Sequence, residues 1–152
     1  MPLISTLRAT LLALLLLPIA ATAEKNKHSK QFDNYTVHYN TLPTDFLSTT
    51  VAKRHKIVRS RNNILVNISV KRTSKDGKTV TVPAKITVQA RNRTAQLKYA
   101  KMREVLDQKG IYYLGEFRVA NREHLFFTVT VTPKDKQAST YSLKFDKTFR
   151  TK

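Results

Sequence analysis

The chain has 152 residues, with 28 Lys and Arg against 10 Asp and Glu, a formal charge of +18. At 41% apolar and 25% charged residues, it has the composition of a foldable single-domain globular protein and not of a disordered polyelectrolyte tail. No Cys and only three Gly exclude disulfides, thiolate metal sites, a cysteine nucleophile, a lipid-anchor cysteine and a glycine-rich phosphate loop.

Residues 1–23 stand apart. Arg8 precedes the leucine-rich run Leu11 to Leu17, Pro18 interrupts it, and Ala21-Thr22-Ala23 closes it with small residues. This is the layout of a secretory signal peptide, with cleavage expected after Ala23. A retained anchor is the poorer reading, because the apolar stretch from Ala9 to Ala23 is shorter than the ~18 residues a span needs. No transmembrane segment is therefore expected after cleavage. Loss of Arg8 leaves +17 on the mature chain, and the absent lipobox cysteine points to an unanchored periplasmic protein.

Residues 24–31, with Lys25, Lys27 and Lys30, read as a flexible basic leader. From Phe32 onward the pattern alternates with period two, the mark of half-buried strands. In Tyr35 to Asn40, one face carries Tyr35, Val37 and Tyr39, and the other carries Thr36, His38 and Asn40. A short helix through Val51, Ala52 and His55, capped by Ser48 or Thr49, is the one break in that rhythm. Ile64, Val66, Ile68 and Val70 then face inward, with Asn67 and Ser69 outward. Asp76-Gly77 predicts a hairpin turn. The run from Val80 to Ala90 follows, with Pro83 marking a bulge or an edge. Further strands are predicted at Leu97 to Val105, Ile111 to Val119, Leu125 to Val131 and Tyr141 to Phe149, with turns at Lys109-Gly110 and Pro133 to Ser139. Tyr112 and Tyr113 must point to opposite faces. Short turns between so many strands favour an antiparallel sandwich over a parallel α/β sheet.

The densest charge is Lys53-Arg54-His55-Lys56-Ile57-Val58-Arg59-Ser60-Arg61, five permanent cations in nine residues. Clustered cations attract anions with an affinity that falls as salt rises. After export, nucleic acid is not the expected partner; anionic lipid, lipopolysaccharide phosphates or an acidic envelope protein are. Charge that only confers solubility is the bland alternative. Catalytic signals are weak. His28, His38, His55 and His124 show no helical ligand spacing, and neither a Gly-x-Ser-x-Gly elbow nor a carboxylate pair is present. Glu104, Glu116 and Glu123 are expected to pair with nearby cations. No metal, cofactor or catalytic residue is expected, and nothing in the sequence assigns an oligomeric state.

Several segments together resemble a known family. They are Tyr35-Thr36-Val37-His38-Tyr39-Asn40, Phe46-Leu47, Val51-Ala52, Ile57 with Arg59-Ser60, Asn67-Ile68-Ser69-Val70, and Ile111-Tyr112-Tyr113-Leu114-Gly115. The family is the domain of unknown function 4426, found in secreted proteins of gammaproteobacteria. The resemblance covers nearly the whole mature chain and implies a periplasmic β-sandwich-like domain with no assigned activity. Two features depart from the family pattern. Thr49-Thr50 stands in place of Pro-Glu, which implies a less firmly started helix, and Lys53 to Arg61 is more cationic.

The expectation is a single antiparallel β-sandwich over 32–152, immunoglobulin-like in the loose sense, with about seven to eight strands and one short helix. Its expected role is that of an exported, non-enzymatic binding or accessory module. The binding candidates are Lys53, Arg54, Lys56, Arg59 and Arg61, together with His38 and Asn40. A purely structural or folding-accessory protein is the first alternative, and a hydrolase built around His38 or His124 the second.

Overall fold

A computed structural model describes residues 28–152 of the protein. The signal peptide expected over 1–23 and the start of the basic leader lie outside the described residues. Among the described residues, ten strands form two antiparallel sheets. They are β1 (Ser29–Phe32), β2 (Tyr35–Pro43), β3 (Asn63–Thr73), β4 (Thr79–Thr81), β5 (Ala84–Asn92), β6 (Leu97–Ala100), β7 (Arg103–Asp107), β8 (Gly110–Arg118), β9 (Glu123–Pro133) and β10 (Tyr141–Phe149). The larger sheet runs β1-β2-β3-β8-β7, with β4 also paired to β3, and the smaller runs β10-β9-β5-β6. The expected all-β sandwich is what the chain forms.

Alternation puts one apolar row of each strand inside. Val37, Ile64, Val66, Ile68, Val70 and Phe117 of the larger sheet meet Val88, Ala90, Leu125, Phe127, Val129, Val131 and Leu143 of the smaller, all of them buried. Rings cross the interface. Phe117 meets Phe127 edge-on at 5.5 Å, Tyr39 stacks on Phe145 at 4.6 Å, and Phe32 stacks on Tyr141 at 4.9 Å.

Ten strands arise from the seven alternating runs for two reasons. First, two runs cross from one sheet to the other. The run from Val80 to Ala90 divides at Val82-Pro83: Val82 still donates to the Val70 carbonyl of the larger sheet, while Ala84 opens β5 of the smaller. Proline has no N–H to give the ladder, which suits a crossing point. The run from Leu97 to Val105 divides at Lys101-Met102, between β6 in the smaller sheet and β7 in the larger. Second, β1 begins at Ser29, so residues 29–31 of the segment expected to be a flexible leader over 24–31 are strand. Ser29, Lys30 and Gln31 pair with His38, Val37 and Thr36, and the ladder satisfies backbone groups that a free leader would leave to water.

The predicted turns form where their chemistry allows. Gly77 takes φ 83° in the β3–β4 hairpin, where its N–H reaches the Ser74 carbonyl. Asp33, at φ 47°, turns β1 into β2. At one end of the sandwich, Lys98 Nζ lies 2.7 and 2.8 Å from the two Glu123 carboxylate oxygens, with side chains only 20% and 11% exposed. Burial alone would raise the pKa of Glu123, but hydrogen bonds from Lys98, the Ala120 N–H and Asn92 hold it below the usual carboxylate value.

The helix α1 spans Thr49–Arg54 despite its Thr-Thr start, because the Ser48 hydroxyl accepts from the Val51 N–H at 3.2 Å. It ends in a Schellman motif, with the Ile57 N–H bonded to the Ala52 carbonyl and Lys56 at φ 51°. Ala52 and Ile57 pack on Leu65 and Leu114, so α1 covers part of the outer face of the larger sheet. Among the described residues, no helix is long and apolar enough to cross a membrane.

Gly115 makes the β6–β7 crossing possible. A Cβ there would overlap the Met102 sulfur and lie 2.9 Å from the Ala100 Cβ. Gly115→Ala is expected to lower the stability measured by urea denaturation by about 1–3 kcal/mol. Shortening Met102 to Ala in that background should restore part of the loss.

Candidate functional site

The outer face of the larger sheet carries the side chains that the core does not use. Along β2 it presents Thr36, His38, Asn40 and Leu42 in turn. Leu42 lies in the small cluster under α1; His38 and Asn40 stay uncovered. Register sets His38 opposite Ser69 and Asn40 opposite Asn67. Together with His28 and Tyr39 these four line a recess of about 230 Å³. His28 comes within reach because its carbonyl accepts from the Tyr39 N–H, extending the β1–β2 ladder by one bond.

The recess is polar and carries no carboxylate. Burial, followed by the charge of Lys71, pushes the pKa of His38 below 6.5 and favours the neutral imidazole. The Asn40 side-chain oxygen is taken by the Thr41 N–H at 2.8 Å. The Asn67 side-chain oxygen is buried without a hydrogen-bond partner. An unsatisfied buried acceptor in the same recess as a neutral imidazole suits recognition of a hydrogen-bond donor. Among the described residues, no group of three His, Asp or Glu could hold a metal ion.

The cationic segment is not one open patch. Lys53 and Arg54 occupy the last turn of α1, where positive charge complements the helix end. With Lys56 they are exposed, and among the described residues they form no ion pair. Arg59 instead donates to the Asp45 carbonyl at 2.7 Å and to the Thr49 hydroxyl at 3.4 Å. Arg61 faces the Asp45 carboxylate at 3.6 Å. Both arginines therefore fasten the 3-10 turn Thr44–Phe46 to the segment after α1. Both remain exposed, but each bonds to Asp45, which lies outside the cationic run.

His124 is on the other side of the molecule. On the outer face of the smaller sheet, its ring meets the Thr148 hydroxyl at 2.7 Å and Asp146 at 3.2 Å, with the Phe126 ring edge-on at 4.6 Å. Arg91 lies over Phe126 at 5.7 Å. His38 and His124 thus belong to separate faces. Of the three glutamates, Glu123 pairs with Lys98 and Glu116 with Arg103. Glu104 instead accepts from the Tyr113 hydroxyl, whose pKa burial pushes up to about 12. Asn67, like His28, Tyr39 and Ser69, is a recess residue outside the binding candidates expected from the sequence. Alternation placed it outward, but only the pairing with Asn40 and the unfilled acceptor distinguish it.

The fold and site define a small antiparallel β-sandwich domain with one helix-covered face, a polar recess and a cationic segment. The family model of the domain of unknown function DUF4426 matches residues 29–151, and the chain belongs to that family. It is similar to a DUF4426 family protein from Pseudomonas aeruginosa PAO1, at 30% identity and TM-score 0.67, over 80% of this chain and 93% of that one. It also resembles FetP of uropathogenic Escherichia coli strain F11, at 8% identity and TM-score 0.57, over 80% of this chain and 92% of that one, a likeness of fold alone. None of the curated proteins matches the chain.

Because the folded pKa of His38 is depressed, protonation favours the unfolded chain. Its contribution to stability is complete above about pH 6.5 and is lost as pH falls through the folded value. Wild type should therefore lose more stability than His38→Asn on acidification below pH 6.5, and an NMR titration of Lys71→Gln should show the His38 midpoint moving upward. Lys56 adopts a left-handed conformation that glycine tolerates better. Lys56→Gly is expected to raise stability in urea by about 0.5–1 kcal/mol.

Proposed function

We propose that this protein is an exported, periplasmic, non-enzymatic binding module that engages an anionic partner through its basic surface. The observation that carries the reading is that Lys53, Arg54 and Lys56 stand exposed and without an ion-pair partner among the described residues, on a chain of +18. Cations spent on internal pairs, as Lys98 and Arg72 are on Glu123 and Asp135, support the fold; cations left over are available to a partner. The leader-like residues 1–23 support export. The non-enzymatic reading is supported by the lack of a carboxylate among the residues lining the His38 recess.

The test uses immobilised heparin as a polyanion without a bilayer. Wild type should be retained at low ionic strength and released as salt rises. Replacing Lys53, Arg54 and Lys56 together by Gln should weaken binding by about a hundredfold, at roughly 1 kcal/mol per cation. Retention that is absent at low salt, or that the triple substitution leaves unchanged, overturns the proposal.

A further inference from the structure

Capture by charge alone does not account for two side chains close to the cationic segment. Phe46 is 76% exposed and Val58 is 73% exposed, in a protein whose other large rings mostly pack in or against the core. A single exposed apolar residue is ordinary. These two are different because the fold builds them a common support. Thr44, fully buried, donates its hydroxyl to the Val58 carbonyl at 2.8 Å and accepts from the Ser60 N–H at 2.9 Å. Arg59 adds its bond to the Asp45 carbonyl. Two segments fourteen residues apart at this bond, on either side of α1, are thus held side by side with an exposed apolar side chain on each.

The surroundings are cationic. Phe46 lines a recess of about 230 Å³ together with Arg61, Arg150 and Lys152. The acid in that recess, Asp45, faces Arg61 at 3.6 Å. Arg61 is still 72% exposed at its side chain. Exposed rings flanked by long basic side chains are the chemistry of an interfacial anchor. The ring enters the headgroup–acyl boundary, while the cations stay at the level of the phosphates. A fixed support lets the anchor bind without first paying to order a loop.

We propose that this tip, formed by Phe46 with Arg61, Arg150 and Lys152 beside it and by Val58 on the segment that Thr44 ties to it, docks on the surface of an anionic phospholipid bilayer. The inference rests on the reading of the protein as a binder of anionic partners and names that partner as a membrane surface. Charge complementarity selects the bilayer's phosphates, and the two apolar side chains favour a bilayer over a soluble acidic polymer.

The chain contains no Trp, so Phe46→Trp places a sole indole at the tip. In phosphatidylglycerol vesicles its emission should shift to the blue and be quenched by brominated lipid. Leu106→Trp, at a residue 73% exposed on β7, should show neither change. Phe46→Ser should weaken vesicle binding by about 5- to 20-fold and leave heparin retention unchanged. If the indole emission of the Phe46→Trp variant is unaltered in sedimented, vesicle-bound protein, or the Leu106→Trp reporter responds equally, the docking tip is wrong. Heparin retention without any vesicle binding at low salt points to a soluble acidic partner, overturning the membrane inference but not the broader reading. Loss of both overturns the two together. A blue shift that grows with protein concentration in the absence of lipid identifies a second copy as the occupant and overturns the inference as well.

Discussion

The contact on which the sandwich depends is the stack of rings between its sheets. Phe127, fully buried on β9, is its hub. It stacks on Phe145 at 4.7 Å and meets Phe117 and Phe149 edge-on at 5.5 and 6.2 Å. Phe145 carries the stack on to Tyr39 of the opposite sheet. A chain without cysteine has no covalent link to hold two sheets at a fixed angle and distance. Interlocked rings do it through shape, each pair adding about 0.5–1.5 kcal/mol beyond the area it buries.

The seam also closes the open side of the sandwich. Tyr141 of β10 stacks on Phe32 and donates to Asp33, and Lys147 donates to the Thr41 carbonyl. The edge strand of the smaller sheet is therefore tied to the β1–β2 hairpin of the larger, which protects it from pairing with another chain. On the far side, the β6–β7 strand passes between the sheets where Gly115 leaves room for Met102. With both sides engaged, the outer faces are left to act as surfaces. One is half covered by α1 and holds the His38–Asn67 recess. The segments before and after α1, tied together through Thr44, display Phe46 and Val58.

Much of this was legible in the residues. The alternation of Val37, Tyr39 and their partners with His38 and Asn40 assigned inner and outer rows correctly, as did the opposed Tyr112 and Tyr113. Asp76-Gly77, Lys109-Gly110 and Ser48 each carry local chemistry that acts over a few residues, and each forms the turn or cap expected of it. The division of the runs at Pro83 and at Lys101-Met102 was not legible, because a strand that changes sheets keeps its period of two. Nor was the fate of Arg59 and Arg61. As members of a run they look equivalent to Lys53 and Lys56, and only the fold brings Asp45 to them.

The sequence by itself determined the fold class, the inward and outward faces of β2 and β3, the main turns and the excess of positive charge. These follow from local geometry: side chains in a pleated strand alternate, and glycine or a capping hydroxyl acts on its neighbours. The tertiary structure alone decided which cations stay free, which acceptor is left without a donor and which apolar side chains stay exposed. Each of those depends on residues distant in the chain, and a charge or a ring becomes available to a partner only when folding has not already given it one.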